Sequence, residues 1–241
     1  MKQIVILHTM FIAAAFAQQT NLVSGTITGT LKGEDGSVIG GATILLHRAP
    51  QATPRSIRQP SDWTTVTTAG GSFSVTGLPA GYYSVCAGIK DSTWLNPCEW
   101  NFATPTATIS RSTPNPSVGI ILKRGAPVPI RINDGGQLLD QHEGKTRGAG
   151  LFLSVSSAGL LSRLVPLVSK NGSGRNYQIV IPFNTPLTLV VRASYFIVQD
   201  AADTALSQAT STNIPLLVGA GQQLQPINFK ISGVGQSGGG K

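Results

Sequence analysis

The sequence consists of short runs in which apolar and polar residues alternate, separated by residues that favour turns. Residues 72–76 (SFSVT) show this pattern clearly, with Phe73 and Val75 on one side. Alternation with a period of two puts successive side chains on opposite faces of a strand, so each run predicts a strand with one buried face. Such runs recur at intervals of roughly 8–12 residues, and Gly, Pro, Asn and Asp lie between them. The sequence therefore predicts an all-β protein.

The predicted strands fall into two series. The first series covers residues 22–31, 42–47, 63–68, 72–76, 82–89, 108–109 and 118–122. The second covers residues 128–132, 151–155, 164–168, 177–181, 187–193, 195–198, 214–218 and 227–231. Between them, residues 123–127 (KRGAP) look like a junction. We therefore predict two consecutive β-sandwich domains, residues 22–122 and 127–232, and a flexible Gly-rich tail at 233–241.

The charge composition argues against a nucleic-acid partner. The chain of 241 residues carries a formal net charge of +8, but only 12% of its residues are charged. Its basic residues are scattered along the chain, whereas nucleic-acid binding requires them to cluster. The high Gly and Pro counts, 28 and 15, instead fit strands joined by tight turns.

The N-terminal segment predicts export. Residues 1–17 (MKQIVILHTMFIAAAFA) combine Lys2, an apolar stretch and a small-x-small motif that ends at Ala17. This order is typical of a signal peptide cleaved after Ala17, although a core N-terminal helix or strand is the alternative. Gln18 is not a cysteine, so a lipid anchor is not expected, and no later segment has the length of a transmembrane helix. We predict a secreted or periplasmic protein with no transmembrane anchor.

The two cysteines, Cys86 and Cys98, predict a disulfide. In an oxidising compartment an even pair close in sequence usually forms one, and two buried free thiols are the alternative. The closed loop would be worth roughly 3 kcal/mol in the chain-entropy model. These cysteines and the histidines of the mature chain, His47 and His142, show no metal-ligand spacing. We expect neither a metal site nor a cofactor.

Four motifs in the first half occur in a family-like order. They are residues 24–29 (SGTITG), 35–44 (DGSVIGGATI), 67–78 (TTAGGSFSVTGL) and 79–85 (PAGYYSV). Together they make residues 23–122 resemble the carboxypeptidase regulatory-like domain, a transthyretin-like Greek-key β-sandwich similar in fold to carbohydrate-binding domains. The resemblance implies a non-catalytic module. The insertion at 49–62 and the loop between the cysteines depart from the short form of the pattern. Residues 125–232 resemble no family that we identify.

Catalytic motifs are lacking in the sequence. Gly-x-Ser-x-Gly does not occur, and the ten acidic residues show no spacing that indicates a general acid and base. His47 ends a predicted strand, and His142 lies with Asp140 and Glu143 in a predicted charged loop. We interpret both histidines as surface or structural residues, and we predict that the protein is not an enzyme.

The loop between the cysteines is the best candidate for a binding site. Trp94 and Trp100 flank Cys98 there, and Asp91, Asn96 and Glu99 are close in sequence. A disulfide-pinned loop with two indoles and several polar groups is a plausible stacking platform for a sugar ring. The alternative is that one or both indoles fold back to cap the edge of the sandwich.

The sequence leads to one main functional prediction and one alternative. The main prediction is a secreted, non-catalytic structural or binding module that contacts protein or surfaces outside a bacterial cell. The alternative is a carbohydrate-binding protein that uses the loop around Trp94 and Trp100. The partner would thus be a protein or a polysaccharide at the cell exterior.

Overall fold

The structure is a computed structural model, and it describes residues 24–50, 62–100, 102–147, 149–157, 162–202, 205–207 and 211–235. The predicted signal peptide, most of the predicted loop at 49–62 and the end of the predicted tail lie outside these residues. The described residues form seventeen strands and one five-residue helix, which confirms the all-β prediction. None of the helices in this part of the chain is long and apolar enough to span a membrane.

The elements follow the order of the predicted strands. The first half contains β1 (Ser24–Gly33), β2 (Thr43–Arg48), β3 (Asp62–Val66), β4 (Ser72–Pro79), β5 (Gly81–Gly88), β6 (Trp94–Leu95) and β7 (Thr106–Ile109). Strand β8 (Ser117–Asn133) connects the halves. The second half contains α1 (Leu138–His142), β9 (Leu151–Ser156), β10 (Arg163–Leu164), β11 (Leu167–Asn171), β12 (Gly174–Pro182), β13 (Leu187–Ala193), β14 (Phe196–Gln199), β15 (Ala205–Ser207), β16 (Ser211–Leu216) and β17 (Ile227–Val234).

The first half is a sandwich of two sheets around one core. One sheet has the order β4-β1-β8, and the other has the order β3-β2-β5-β7. The predicted alternation is borne out, because Phe73 and Val75 of β4 are both buried in this core. Other members come from both sheets, among them Ile27, Leu31, Ile44, Leu46, Tyr83, Val85, Ile120 and Leu122. At Gly29 the backbones of β1 and β8 come too close to leave room for a side chain. A Cβ atom there would lie 2.2 Å from the Val118 carbonyl oxygen.

The second half is a sandwich with its own core. Its sheets have the orders β11-β12-β8-β17-β14-β15 and β10-β9-β13-β16. The core includes Val128, Ile130, Ile132, Leu153, Ile181, Leu189, Val191, Phe196 and Phe229. In each sandwich β8 forms one parallel pair. Its partner is β1, the first strand, in the first sandwich, and β17, the last strand, in the second.

The predicted junction at 123–127 is the middle of the continuous strand β8. Every even-numbered residue of β8 from Val118 to Ile132 is buried except Arg124, which is exposed. One strand with one alternating pattern therefore supplies both cores. Pro127 and Pro129 are tolerated because β17 pairs with β8 only from Ile130 onward, so one edge of β8 needs no N–H donors there. The domain boundaries at 122 and 127 remain a prediction.

Three further segments differ from the predictions. The predicted charged loop at 140–148 begins within α1, because both carboxylate oxygens of Asp134 accept hydrogen bonds from the first helical N–H groups, those of Leu138 and Leu139. The predicted tail from 233 is wrong in its first residues, since Gly233 and Val234 extend β17 by pairing with β14. The predicted strand at 164–168 is split around Pro166 into β10 and β11.

Candidate functional site

A cleft of about 970 Å³ lies between the two sandwiches. Its first wall is the outer face of β2 and β5, where Thr43, Leu45 and Cys86 line it. Its second wall comes from β10, β11 and β12 of the other sandwich. Residues 86–100, which we call the disulfide segment, supply the rest of the lining. All five residues of the predicted site belong to it: Asp91, Trp94, Asn96, Glu99 and Trp100. The fold therefore brings the predicted residues to one cleft.

The predicted disulfide is present. Cys86 lies in β5 opposite Leu45 of β2, and it is bonded to Cys98 with a Cα–Cα distance of 5.6 Å. Asn96 shapes the turn at Cys98, because its side-chain oxygen accepts a hydrogen bond from the Cys98 N–H at 3.1 Å. Its side-chain nitrogen donates to Glu99 Oε1 at 3.1 Å. The main role of Asn96 is thus local, and it holds the segment in shape.

Trp100 does not present a stacking face to solvent, which corrects half of the predicted platform. Its side chain is only 6% exposed and belongs to the core of the second sandwich, as does Leu95. The Arg163 guanidinium of β10 lies 5.4 Å from the centre of its ring. An indole gains more from burial between sheets than from exposure in a loop, and this physical reason favours the folded-back alternative for Trp100.

Trp94 is partly buried at the boundary between the two cores. The Arg124 guanidinium lies 4.0 Å from the centre of its ring, and Trp94 also packs against the core of the first sandwich. Its backbone pairs with Arg124 in β8. Its neighbour Asp91 is exposed and lies beside Lys90, whose Nζ atom is 4.0 Å from the Asp91 carboxylate. Trp94 and Asp91 both line the cleft, and Arg124 lies against the indole ring.

Glu99 is held by the second sandwich. Its Oε2 atom forms an ion pair with Arg163 Nη2 at 2.5 Å, and its backbone carbonyl accepts a hydrogen bond from Arg163 Nη1 at 3.1 Å. Arg163 thus binds both the side chain and the main chain of one residue in the disulfide segment. The sequence analysis missed Arg163, since nothing near it in the chain connects it with residues 86–100.

The cleft has an aliphatic rim that sequence reasoning also missed. Leu164 is 70% exposed and Val168 is 63% exposed, and Leu167 and Leu45 are exposed as well. All four line the cleft. The sequence predicted one strand at 164–168 and not the exposure of Leu164, Leu167 and Val168. Their exposure follows from the split of that strand into β10 and β11 at the edge of the sandwich. Apolar residues exposed together beside a concave surface are typical of a binding site.

A row of Asp, His and Ser side chains crosses the outer face of the first sandwich without forming a catalytic arrangement. Asp62, His47 and Ser84 face one another on β3, β2 and β5. His47 Nδ1 lies 2.7 Å from Asp62 Oδ1. The Ser84 hydroxyl donates at 3.3 Å to the backbone oxygen of His47 and not to its ring. A nucleophile needs a hydrogen bond to its base, so the row does not have the geometry of acyl transfer.

The acidic residues near His142 serve an ion-pair cluster. Arg175 is buried, and its guanidinium binds Asp140 Oδ1 at 2.6 Å and Glu143 Oε2 at 2.5 Å. The hydrogen bond from Arg175 holds the pKa of the Asp140 carboxyl below its usual value. His142 packs on Tyr195 and lies 3.2 Å from the Thr146 hydroxyl. In the described part of the chain, no three His, Cys, Asp or Glu side chains converge on a point that could hold a metal ion.

The cleft and the fold define a class of protein: an all-β, two-core sandwich protein with a disulfide beside a cleft between the cores. No family model matches the chain, and no curated protein matches it. Its matches among solved structures include a streptococcal ancillary pilin, with 12% identity and a TM-score of 0.40 over 88% of this chain and 63% of that one. This chain therefore spans less than two thirds of the length of that pilin.

Two other pilins are similar at the same level. The minor pilin of the Gram-positive pathogen Streptococcus agalactiae has 12% identity and a TM-score of 0.38, over 86% of this chain and 96% of that one. The shaft pilin of Lactobacillus rhamnosus GG has 11% identity and a TM-score of 0.31, over 87% of this chain and 98% of that one. At these identities and scores the likeness concerns the sandwich architecture alone.

Proposed function

We propose that this protein is an exported, non-catalytic binding module whose contact surface is the cleft between its two sandwiches. The observation that carries the proposal is the aliphatic rim of that cleft, formed by Leu45 on one sandwich and Leu164, Leu167 and Val168 on the other. Burying such side chains against a partner would contribute about 25 cal/mol per Å² of apolar surface. A partner that enters the cleft would touch both sandwiches at once.

The charges around the cleft favour an uncharged contact. Among the residues that line the cleft, Glu99 is paired with Arg163, and Lys90 lies beside Asp91. These four charges cancel, although the chain as a whole carries +8. The electrostatic attraction of the chain for anions is therefore not concentrated here, and apolar contact is the stronger source of affinity.

Export and family membership are parts of the same proposal. The disulfide between Cys86 and Cys98 supports an oxidising compartment, and residues 1–17 would supply the signal peptide. We assign residues 23–122 to the carboxypeptidase regulatory-like family, because Gly29, Phe73 and Tyr83 of its motifs all have structural roles in the first sandwich. Mass spectrometry of the exported protein tests the first part: an N-terminus at Gln18 is expected, and an intact Met1 would reject it.

A pair of matched variants tests the cleft as the contact surface. Val168 and Leu217 are both 63% exposed, but only Val168 lines the cleft. We expect Val168→Asp to reduce retention of the purified protein on cell envelopes of the producing bacterium at least fivefold, and Leu217→Asp to leave it unchanged. Circular dichroism of both variants checks that they fold. Equal retention of the two variants would exclude the cleft.

Carbohydrate is the second candidate for the ligand, and the gathering of the predicted residues in one cleft favours it. Asp91 and Trp94 would contact a neutral polysaccharide, with Asn96 and Glu99 close by and Trp100 as buried support. Retardation in a native gel cast with polysaccharide tests this with Trp94→Ala, and Tyr82→Ala is the control because Tyr82 is exposed on β5 outside the cleft. Loss of retardation in Trp94→Ala alone is expected, and equal retardation of both variants would reject the sugar site.

A further inference from the structure

We propose that the Cys86–Cys98 disulfide is a redox-sensitive latch that fixes the angle between the two sandwiches and so sets the width of the cleft. Control of binding by this latch rests on the proposed function of the cleft. Control of the angle between the two sandwiches does not rest on it. The proposal depends on where the disulfide segment is attached at each of its ends.

The two sandwiches are joined in two places. The first is β8, which crosses from one to the other through Arg124 and Gly125. The second is the disulfide segment, which leaves the first sandwich at β5, docks on the second and continues into β7 of the first. A body joined to another by a single strand can bend about it, whereas a second attachment away from that strand resists bending.

The docking of the disulfide segment on the second sandwich is extensive. Leu95 and Trp100 are buried in the second core. Arg163 forms an ion pair with the Glu99 carboxylate and donates to the Glu99 carbonyl. The Gly125 N–H of β8 donates to the Thr93 carbonyl at 2.8 Å. Residues 95–100 are therefore held by the second sandwich, while the Trp94 ring also packs against the first core.

The disulfide makes this docked segment a short tie to the first sandwich. Cys86 is part of β5, and its backbone is in register with Leu45 of β2. With the bond closed, the Cα atoms of Cys86 and Cys98 are 5.6 Å apart. Without it, the ties are the five chain steps from Gly88 to Thr93 and the six from Trp100 to Thr106, which could extend to roughly 17 Å and roughly 20 Å. Opening the bond thus converts a rigid tie into a slack one.

The latch can be reached and opened by ordinary thiol chemistry. Cys86 is buried, but Cys98 is exposed to solvent. A dithiol reductant attacks a sulfur as its thiolate, the S–S bond breaks, and a mixed disulfide forms. The second thiol of the reductant then releases the protein, so two electrons and two protons yield two cysteine thiols while the reductant closes to its own disulfide.

Small-angle X-ray scattering with hydrogen exchange on the full chain tests the latch without any ligand. On reduction by dithiothreitol we expect a larger maximum dimension and exchange roughly 100-fold faster at the Cys98, Glu99 and Gly125 amides. Amides of β1 and β13 should keep their protection, because neither core contains the disulfide bond. An unchanged scattering curve after complete reduction would overturn the proposal, and so would loss of protection throughout both cores.

Two variants separate the latch from a general effect of the reductant. Cys86→Ala combined with Cys98→Ala should show the larger dimension without dithiothreitol. Lys90→Ala lies in the same segment, but its side chain is almost fully exposed, so it should behave as wild type in both redox states. If the double variant has the compact shape of the oxidised protein, the latch is rejected. This result would leave the retention of Val168→Asp as an independent test of the cleft.

Discussion

The Arg124 guanidinium stacks on the Trp94 ring, 4.0 Å from its centre, where β8 passes from one core to the other. Arg124 occupies a position that the alternating pattern of β8 assigns to a buried side chain. It also lies 3.3 Å from the Asp35 carboxylate in the turn after β1. A long cationic side chain covering an indole thus closes the gap between the cores and joins β1, β6 and β8.

The first prediction concerns this stack. We expect Arg124→Ala to lower the free energy of unfolding by about 1–2 kcal/mol, because the cation–π contact and the packing of the side-chain stem are lost. Denaturant unfolding followed by Trp fluorescence measures it. Lys90→Ala, also a loss of one positive charge, should stay within about 0.5 kcal/mol of wild type. Equal effects of the two substitutions would show that only net charge matters.

The second prediction compares two glycines in neighbouring strands. A Cβ atom at Gly29 would meet the Val118 carbonyl oxygen at 2.2 Å and the Phe73 ring at 2.4 Å, whereas one at Gly119 would meet nothing within 4 Å. Gly29→Ala should therefore destabilise the protein by about 3 kcal/mol. Gly119→Ala should be neutral or stabilise it by up to about 1 kcal/mol. Thermal unfolding of both variants measures the difference, and similar melting temperatures would refute the close approach of β1 and β8.

The third prediction concerns acid. The hydrogen bond from Arg175 lowers the pKa of Asp140 from its usual value of 3.8. A carboxyl with a lowered pKa in the folded state gives stability that is complete above the unfolded pKa and disappears as the pH falls through the folded pKa. The free energy of unfolding should therefore fall less steeply below about pH 4 in Asp140→Asn than in wild type. Urea unfolding at a series of pH values tests this, and parallel curves for the two proteins would count against the ion pair.

The fourth prediction concerns alkali. Burial raises the pKa of the Tyr83 hydroxyl, which donates a hydrogen bond to the Pro79 carbonyl at 2.5 Å. A raised folded pKa means that stability is complete below the unfolded pKa, about 10, and is lost as the pH rises through the folded value. Tyr83→Phe should cost about 1 kcal/mol at neutral pH. Above pH 10 the difference in free energy of unfolding between Tyr83→Phe and wild type should narrow. A constant difference would contradict the raised pKa of Tyr83.

Local patterns were sufficient to predict most of the strands and the disulfide. Phe73 and Val75 are buried as their alternation predicts, because one buried face is decided by neighbours in sequence. The disulfide followed from an even pair of cysteines close in sequence. That the junction at 123–127 is part of one continuous strand was not predicted, since Lys, Arg, Gly and Pro in succession are typical of linkers. Whether Pro127 can sit in a strand depends on the absence of a partner at one edge, and tertiary structure decides that.

The candidate site could be predicted only in part. Trp94, Asn96 and Glu99 belong to one segment, and their closeness in sequence was enough to bring them together. The burial of Trp100 and the pairing of Glu99 with Arg163 depend on a contact between residues more than sixty positions apart. The exposed Leu164 and Val168 depend on where a strand changes sheets. Such features arise from the packing of one sandwich on the other.

Photo-crosslinking in growing cells of the producing bacterium tests the central claim, that the cleft is the contact surface, most directly. A benzophenone amino acid is placed at Val168 or at Leu217, two positions of equal exposure, 63%. A discrete adduct is expected from position 168 and none from position 217. Adducts of equal yield from both positions, or an adduct from position 217 alone, would contradict the claim.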